Sequence, residues 1–225
     1  CGTGNLVIAY VKKLLGKFKP KDVVKAIEKY VYGCDTNIKS LEILRYSLWN
    51  ICFRYKKNPD IGKNLFQQDF LKFNRNLRFD ICASNPPFVS MKGRTLHTEI
   101  SKKALSIINP TGVCCFILPS SVCTSSKYSG FRNELLDLNA GMDVLSFDIM
   151  PSSLFDQLKY EKTAKGVSSS ISVRASIFFI NKMGDRKGKI RTTRMIRFKK
   201  SEREQIFDKK KIPFCIVPRK LIHKL

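Results

Sequence analysis

Strand-like apolar runs alternate with helix-patterned stretches along most of this chain, and that alternation limits the fold more than any other feature. The runs cover residues 30–34, 65–70, 79–83 and 113–118, with another near 144–147. Between them lie helical patterns. The clearest places Ile38, Leu41, Ile43, Leu44, Leu48, Ile51, Cys52 and Tyr55 at roughly 3.6-residue spacing. Four or five strand-then-helix units in succession predict an α/β fold with a mostly parallel sheet and helices on both faces. Ligands of such sheets bind at the carboxyl ends of the strands, so the residues just past each run carry the most information.

The most restrictive of these tips is F-D-I-C-A-S-N-P-P-F at 79–88. Its apolar residues Phe79, Ile81 and Ala83 read as a buried strand. The run stops at Asn85-Pro86-Pro87-Phe88, because two prolines supply no backbone donors and push the preceding residue out of helical geometry. A rigid, extended loop results. It presents the Asn85 amide, the carbonyl of Pro86 and the flat face of Phe88 side by side, and two acceptors beside an aromatic plate suit a planar ring bearing an exocyclic amine. Taken alone the tetrapeptide is also an ordinary strand-end turn.

Three further tips agree with it. Cys1-Gly2-Thr3-Gly4-Asn5 leads straight into an apolar segment, 6–15, and reads as a glycine loop opening a buried helix whose free N–H groups face a ligand. The run at 30–34 ends on Asp35, where a carboxylate can accept both hydroxyls of a ribose. The usual gap from the glycine loop is about 20 residues, and here a short amphipathic turn at 22–28 lengthens it. Asp35 or Asn37 also suits the N-cap of the next helix. The run at 65–70 ends in Asp69-Phe70, an acid and an aromatic able to bind and pack a nucleobase, or to start a turn beside a core ring. Further on, a helix is expected over 95–108, capped by Thr95 or Thr98, then one over 130–138. Residues 172–180 and 189–198 read as the two strands of a hairpin, after a polar loop at 159–170.

The chain has 225 residues and a formal charge of +24, from 42 Lys and Arg against 18 Asp and Glu. Such a balance favours a polyanionic partner, with nucleic acid first. The excess is steepest from 182 to 225, with sixteen Lys or Arg against four Asp or Glu. Arg191, Arg194, Arg197, Lys199, Lys200 and Lys209-Lys210-Lys211 there form an expected phosphate-binding face. The eight cysteines show neither a C-x-x-C pair nor a His spacing suited to zinc, and most sit in apolar runs as reduced core residues. His97 and His223 are isolated and read as surface or satisfied histidines. No run approaches eighteen apolar residues, and no charged-then-apolar leader opens the sequence; a cytoplasmic protein away from the membrane is expected. Because the chain starts on Cys1 inside the glycine motif, it reads as a fragment that lacks the strand before the loop.

The set Cys1-Gly2-Thr3-Gly4-Asn5, Gly33-Cys34-Asp35, Asp69-Phe70 and Asn85-Pro86-Pro87-Phe88 resembles the amino-DNA methyltransferases, above all adenine-N6 enzymes of restriction–modification systems. The likeness continues through Ile108-Asn109-Pro110-Thr111-Gly112, Leu118-Pro119-Ser120, Ser126-Lys127-Tyr128-Ser129 and Ser176-Ile177-Phe178-Phe179, and fades in the basic tail. Many relatives carry Tyr where Phe88 stands. The resemblance implies a three-layer, Rossmann-like class I methyltransferase sheet, mostly parallel with an antiparallel strand near its C-terminal edge, here without its first strand. It implies a catalytic domain over 1–181 and a basic extension, or the start of a DNA-binding region, over 182–225. S-adenosyl-L-methionine is the implied cofactor. Cys1, Gly2, Gly4 and Asn5 would line its methionine part, Asp35 its ribose, and Asp69 with Phe70 its adenine. Asn85 and the Pro86 carbonyl would accept the hydrogens of the target amine, Pro87 would stiffen the loop, and Phe88 would stack on the flipped base, without a metal. Double-stranded DNA is the implied partner, with a specificity or restriction subunit. Two alternatives stand beside this reading: methylation of RNA guanine or of protein glutamine nitrogens, and a non-catalytic DNA-binding subunit.

Overall fold

The computed structural model describes residues 1–91, 94–150, 152–154, 173–183, 188–202, 206 and 212–217. They belong to two compact units, Cys1–Asn76 and Leu77–Leu225. The expectations for the loop at 159–170, for His223 and for Lys209-Lys210-Lys211 fall outside the described residues.

In the first unit, helix α1 (Asn5–Leu15) follows the glycine loop directly, and α2 (Pro20–Tyr30) begins with proline at a position where its missing N–H costs nothing. Helix α2 is longer than the short turn expected, and it takes up Tyr30. Strand β1 is correspondingly only Gly33–Asp35, followed by α3 (Ile38–Phe53) and β2 (Leu65–Gln67). β1 and β2 pair in parallel with Asp35 opposite Gln67. Of the two residues suited to capping α3, Asn37 does so, its side chain accepting from the N–H of Lys39 at 3.0 Å. The core gathers Val11, Val23, Val24, Ile27, Leu44, Leu48 and Cys52. α1 is less enclosed than its apolar run suggested: Val11 is buried, while Leu6 and Tyr10 remain more than 40% exposed.

The second unit opens with β3 (Phe79–Ser84) and a short antiparallel pair, β4 (Ser90–Met91) with β5 (Arg94–Thr95). Then come α4 (Leu96–Ile107), β6 (Ile108–Pro119), a helical turn α5 (Ser121–Thr124), α6 (Ser129–Asp137), β7 (Gly141–Phe147), β8 (Ala175–Asn181), β9 (Ile190–Thr193) and β10 (Phe214–Val217). Thr95 caps α4 by position but makes no side-chain cap bond; its hydroxyl meets that of Thr98 instead. Six strands form one sheet in the order β10-β9-β7-β8-β6-β3. β8 runs antiparallel to both β6 and β7, while β3 with β6 and β7 with β9 are parallel.

Two expectations change here. Among the described residues β3 is an edge strand and not a buried one: it pairs there with β6, and Ile81 is 54% exposed. An apolar run does not distinguish a central strand from an edge. Nor do β8 and β9 form a hairpin, because β7 lies between them. Residues within 182–225 also supply β9 and β10, so this basic stretch is partly woven into the sheet. Beneath it Leu145, Phe147, Leu154, Ala175, Ile177 and Phe198 pack together. Among the described residues, no helix is long and apolar enough to cross a membrane.

Candidate active site

In the first unit the glycine loop and the tips of β1 and β2 meet. Asp35 accepts from the N–H of Gly2 at 2.7 Å through one carboxylate oxygen and from the N–H of Asn37 at 2.9 Å through the other. Burial alone would raise the carboxyl's pKa. The N–H donors at Asn37 and Gly2 work against burial, and the carboxyl lies below the usual carboxylate value. The carbonyl of Asp35 accepts from the N–H of Gln68 at 2.9 Å, which ties the two strand tips together.

The two loop glycines serve different ends. Gly4 is buried at φ +85°, where a side chain would be strained and would collide with Leu44, so close packing requires glycine. Gly2, exposed at φ +57°, has nothing within 4 Å of the place a side chain would take. Its backbone is therefore open to a ligand. Cys1 and Asn5 flank it and are exposed. Asp69 takes the N–H of Leu71 at 3.0 Å and so starts a helical turn, the plainer of the two roles its type suggested. Phe70 is half-buried, stacked on Phe73 with ring centres 6.1 Å apart. Sequence reasoning passed over Gln68 between these groups. Its amide nitrogen is buried and has no partner among the described residues.

In the second unit, the loop after β3 leaves Asn85 and Pro87 exposed, Pro86 buried and Phe88 half-buried. Among the described residues none donates a hydrogen bond to the Asn85 side chain or to the Pro86 carbonyl. The loop is pinned just beyond, where the N–H of Val89 donates to the carbonyl of Pro87 at 2.9 Å and the N–H of Leu96 to that of Val89 at 3.0 Å. Phe88 lies edge-on to His97, 6.0 Å between ring centres and 71° between planes. Tyr128 also packs against the imidazole, with ring centres 5.6 Å apart and planes at 51°. The reading of His97 as a surface or satisfied residue therefore changes. It is buried, and neither ring nitrogen has a partner among the described residues.

The basic residues of the second unit divide into two groups. Arg191 is committed: its guanidinium binds both carboxylate oxygens of Asp143 at 2.7 Å and lies over the ring of Phe214. Arg197 binds Asp148 at 2.9 Å, and Arg174 binds the other oxygen of the same carboxylate at 3.0 Å. Arg194, Lys199 and Lys200 are exposed. The two committed arginines answer to carboxylates 48 and 49 residues away.

The family model for the Eco57I restriction-modification methylase matches residues 29–155, more than half of the chain. That stretch holds Asp35, Asp69 and the whole Asn85-Pro86-Pro87-Phe88 loop. The chain belongs to the Eco57I restriction-modification methylase family. It is 25% identical over 163 residues to the modification methylase CviBIII of Paramecium bursaria Chlorella virus NC1A, covering 67% of this chain and 36% of that protein. Among solved structures it resembles the DrdV–DNA complex, with a TM-score of 0.73 and 12% identity over 99% of this chain and 26% of that one. It also resembles the M protein of the type I restriction enzyme EcoKI, with a TM-score of 0.58 and 16% identity over 92% of this chain and 46% of that one. The fold is a Rossmann-like α/β fold shared with these solved restriction–modification proteins. This member of the Eco57I family spans about a third of the length of the curated relative it matches.

Proposed function

We propose that this chain is the catalytic part of a DNA adenine-N6 methyltransferase of a restriction–modification system. It works in the cytoplasm on double-stranded DNA, with a specificity or restriction subunit as a further partner. The single observation that carries the reading is the Asn85-Pro86-Pro87-Phe88 loop, rigid and placed just after a strand, inside the segment that matches the methylase family. Residues 1–181 form the catalytic domain in this reading, and 182–225 add a basic face to it.

The residues present fit S-adenosylmethionine. The backbone at Gly2 is open, Asp35 is held as a carboxylate, and the Gln68 amide is a buried donor in want of an acceptor. When bound, the cofactor supplies a methyl group on a positively charged sulfur. Gly2 would let the backbone come close to its methionine part, with Gly4, packed on Leu44, setting the path of the loop and Cys1 and Asn5 beside it. Asp35 retains lone pairs for ribose hydroxyls beyond those its N–H donors use. Asp69 and Phe70 would receive the adenine.

At the target base, an adenine amine is a weak nucleophile because its lone pair is shared with the ring. Asn85 Oδ1 and the Pro86 carbonyl oxygen accept its two N–H bonds, which favours a pyramidal nitrogen with the lone pair directed out of the ring plane. Pro87 fixes the loop, and Phe88 stacks on a base that has to leave the duplex to be reached. Positioning and charge stabilisation supply the rate. Incubating the full-length protein with labelled S-adenosylmethionine and, separately, an adenine-containing duplex, an RNA and a glutamine peptide tests the reading. N6-methyladenine from the duplex is expected. Label only in RNA guanine or in glutamine would overturn it, and DNA binding without transfer would favour the non-catalytic subunit.

A further inference from the structure

His97 is 2% exposed, yet both of its ring nitrogens lack a hydrogen-bond partner among the described residues. A buried polar group left unpaired is destabilising, and each instance in a folded protein calls for an explanation. Packing gives only part of one. The ring packs against both Phe88 and Tyr128, contacts a phenylalanine would make without leaving two polar atoms stranded. Other polar groups of the same helix are satisfied locally: the Thr98 hydroxyl donates to the Thr95 carbonyl, and the Ser101 hydroxyl to the carbonyl of His97 itself, each at 2.8 Å. Burial first, and the nearby charge of Lys127 second, keep the imidazole's pKa below its ordinary value. A neutral imidazole carries one N–H donor and one acceptor nitrogen. This polar group stands directly against the ring on which an incoming base would stack.

We propose that His97 reads the target base: as an extruded base stacks on Phe88, that side chain shifts with it and uncovers the imidazole, whose N–H donates to a ring nitrogen of the base. The inference rests on the proposed function and extends it by naming a residue that touches the base beyond the loop. Adenine offers acceptors at N1, N3 and N7, each within a flat edge that can meet an imidazole. A site built around such a bond discriminates against an analogue that lacks the matching atom.

The test uses the full-length protein and duplexes whose target adenine is replaced by 1-deaza-, 3-deaza- or 7-deazaadenine. Binding and single-turnover methylation are measured for each. One of the three analogues is expected to lose at least about tenfold relative to adenine, the scale of one hydrogen bond with a buried partner left unpaired. His97→Phe, which keeps the packing and removes the nitrogens, is expected to lose as much with adenine and to be indifferent to that analogue, as a double-mutant cycle requires. Equal behaviour of adenine and all three analogues in the unaltered protein would overturn the proposal, even if the variant fails to fold. An analogue penalty that persists undiminished in His97→Phe would overturn it as well. In both cases methylation of adenine by the unaltered protein leaves the proposed function standing. If the unaltered protein does not methylate adenine, both readings fall together.

Discussion

At the tip of β1 the Asp35 carboxylate accepts N–H bonds from Gly2 and Asn37, whereas in the loop after β3 no described residue donates to Asn85 or Pro86. Both sites follow strands in the same kind of fold, and both present oxygen acceptors. In the first, the protein's own backbone supplies donors, so the polar group is part of what holds the loop and strand tips together. In the second, the Asn85 side chain, the Pro86 carbonyl and the nearby His97 ring sit beside prolines and aromatic packing and find no hydrogen-bond partner among the described residues. Satisfied polar groups belong to the architecture; unsatisfied ones beside an aromatic face are where a ligand completes the bonding. Substitutions at the first site should therefore disturb stability, and substitutions at the second should disturb chemistry alone.

The largest effect on the architectural side is expected at Leu44, which is fully buried and packs beneath Gly4 and Gly33. Leu44→Ala should cost about 2–5 kcal/mol in chemical denaturation. A smaller cost would mean that the glycine loop does not depend on this core. Asp35→Ala comes next, at about 1–2 kcal/mol for the stranded donors, accompanied by weaker cofactor binding in calorimetry. Loss of binding at unchanged stability would make Asp35 a ligand group only, and would blur the contrast between the two regions.

The basic face divides in the same way. Replacing Arg194, Lys199 and Lys200 with Ala should flatten the slope of log DNA affinity against log salt, by up to about 0.9 for each phosphate that is no longer neutralised. Arg191→Ala should lower stability instead, because its charge already serves Asp143. The smallest effect concerns pH. Asp148 is shielded from solvent and bound first by Arg197, then by the N–H of Ile149 and by Arg174, which hold its pKa near 2 against an ordinary 3.8. A carboxyl lowered on folding stabilises the protein above its ordinary value, and that stability drains away as pH falls from 3.8 towards 2. Acid titration of the denaturation midpoint should show this loss in the parental protein and not in Asp148→Asn.

The strand-and-helix alternation and the positions of the strand tips were legible because they depend on local signals: apolar period, glycine in the loop at 1–5, and the paired prolines at 86 and 87. What escaped depends on partners distant in sequence. Ile81 reads as core until the sheet order leaves β3 at an edge, and β8 and β9 read as a hairpin until β7 is found between them. The Arg191–Asp143 pair joins residues 48 apart, with no trace in either local stretch. His97 reads as a stray polar residue because nothing nearby in sequence reveals that it is buried against Phe88 and Tyr128. A helix whose neighbouring Thr98, Ser101 and Ala104 are buried offers the available hint.

Single-turnover methylation of an adenine duplex by Asn85→Ala, run beside thermal melting of the same variant, tests the central claim most directly. The account predicts an unchanged melting temperature and cofactor affinity, with the methyl-transfer rate reduced by at least about a hundredfold, the scale of removing one acceptor or donor aimed at a reacting group. A variant that melts normally and methylates at the parental rate would contradict it, and would leave the Asn85-Pro86-Pro87-Phe88 loop as a turn at the end of a strand.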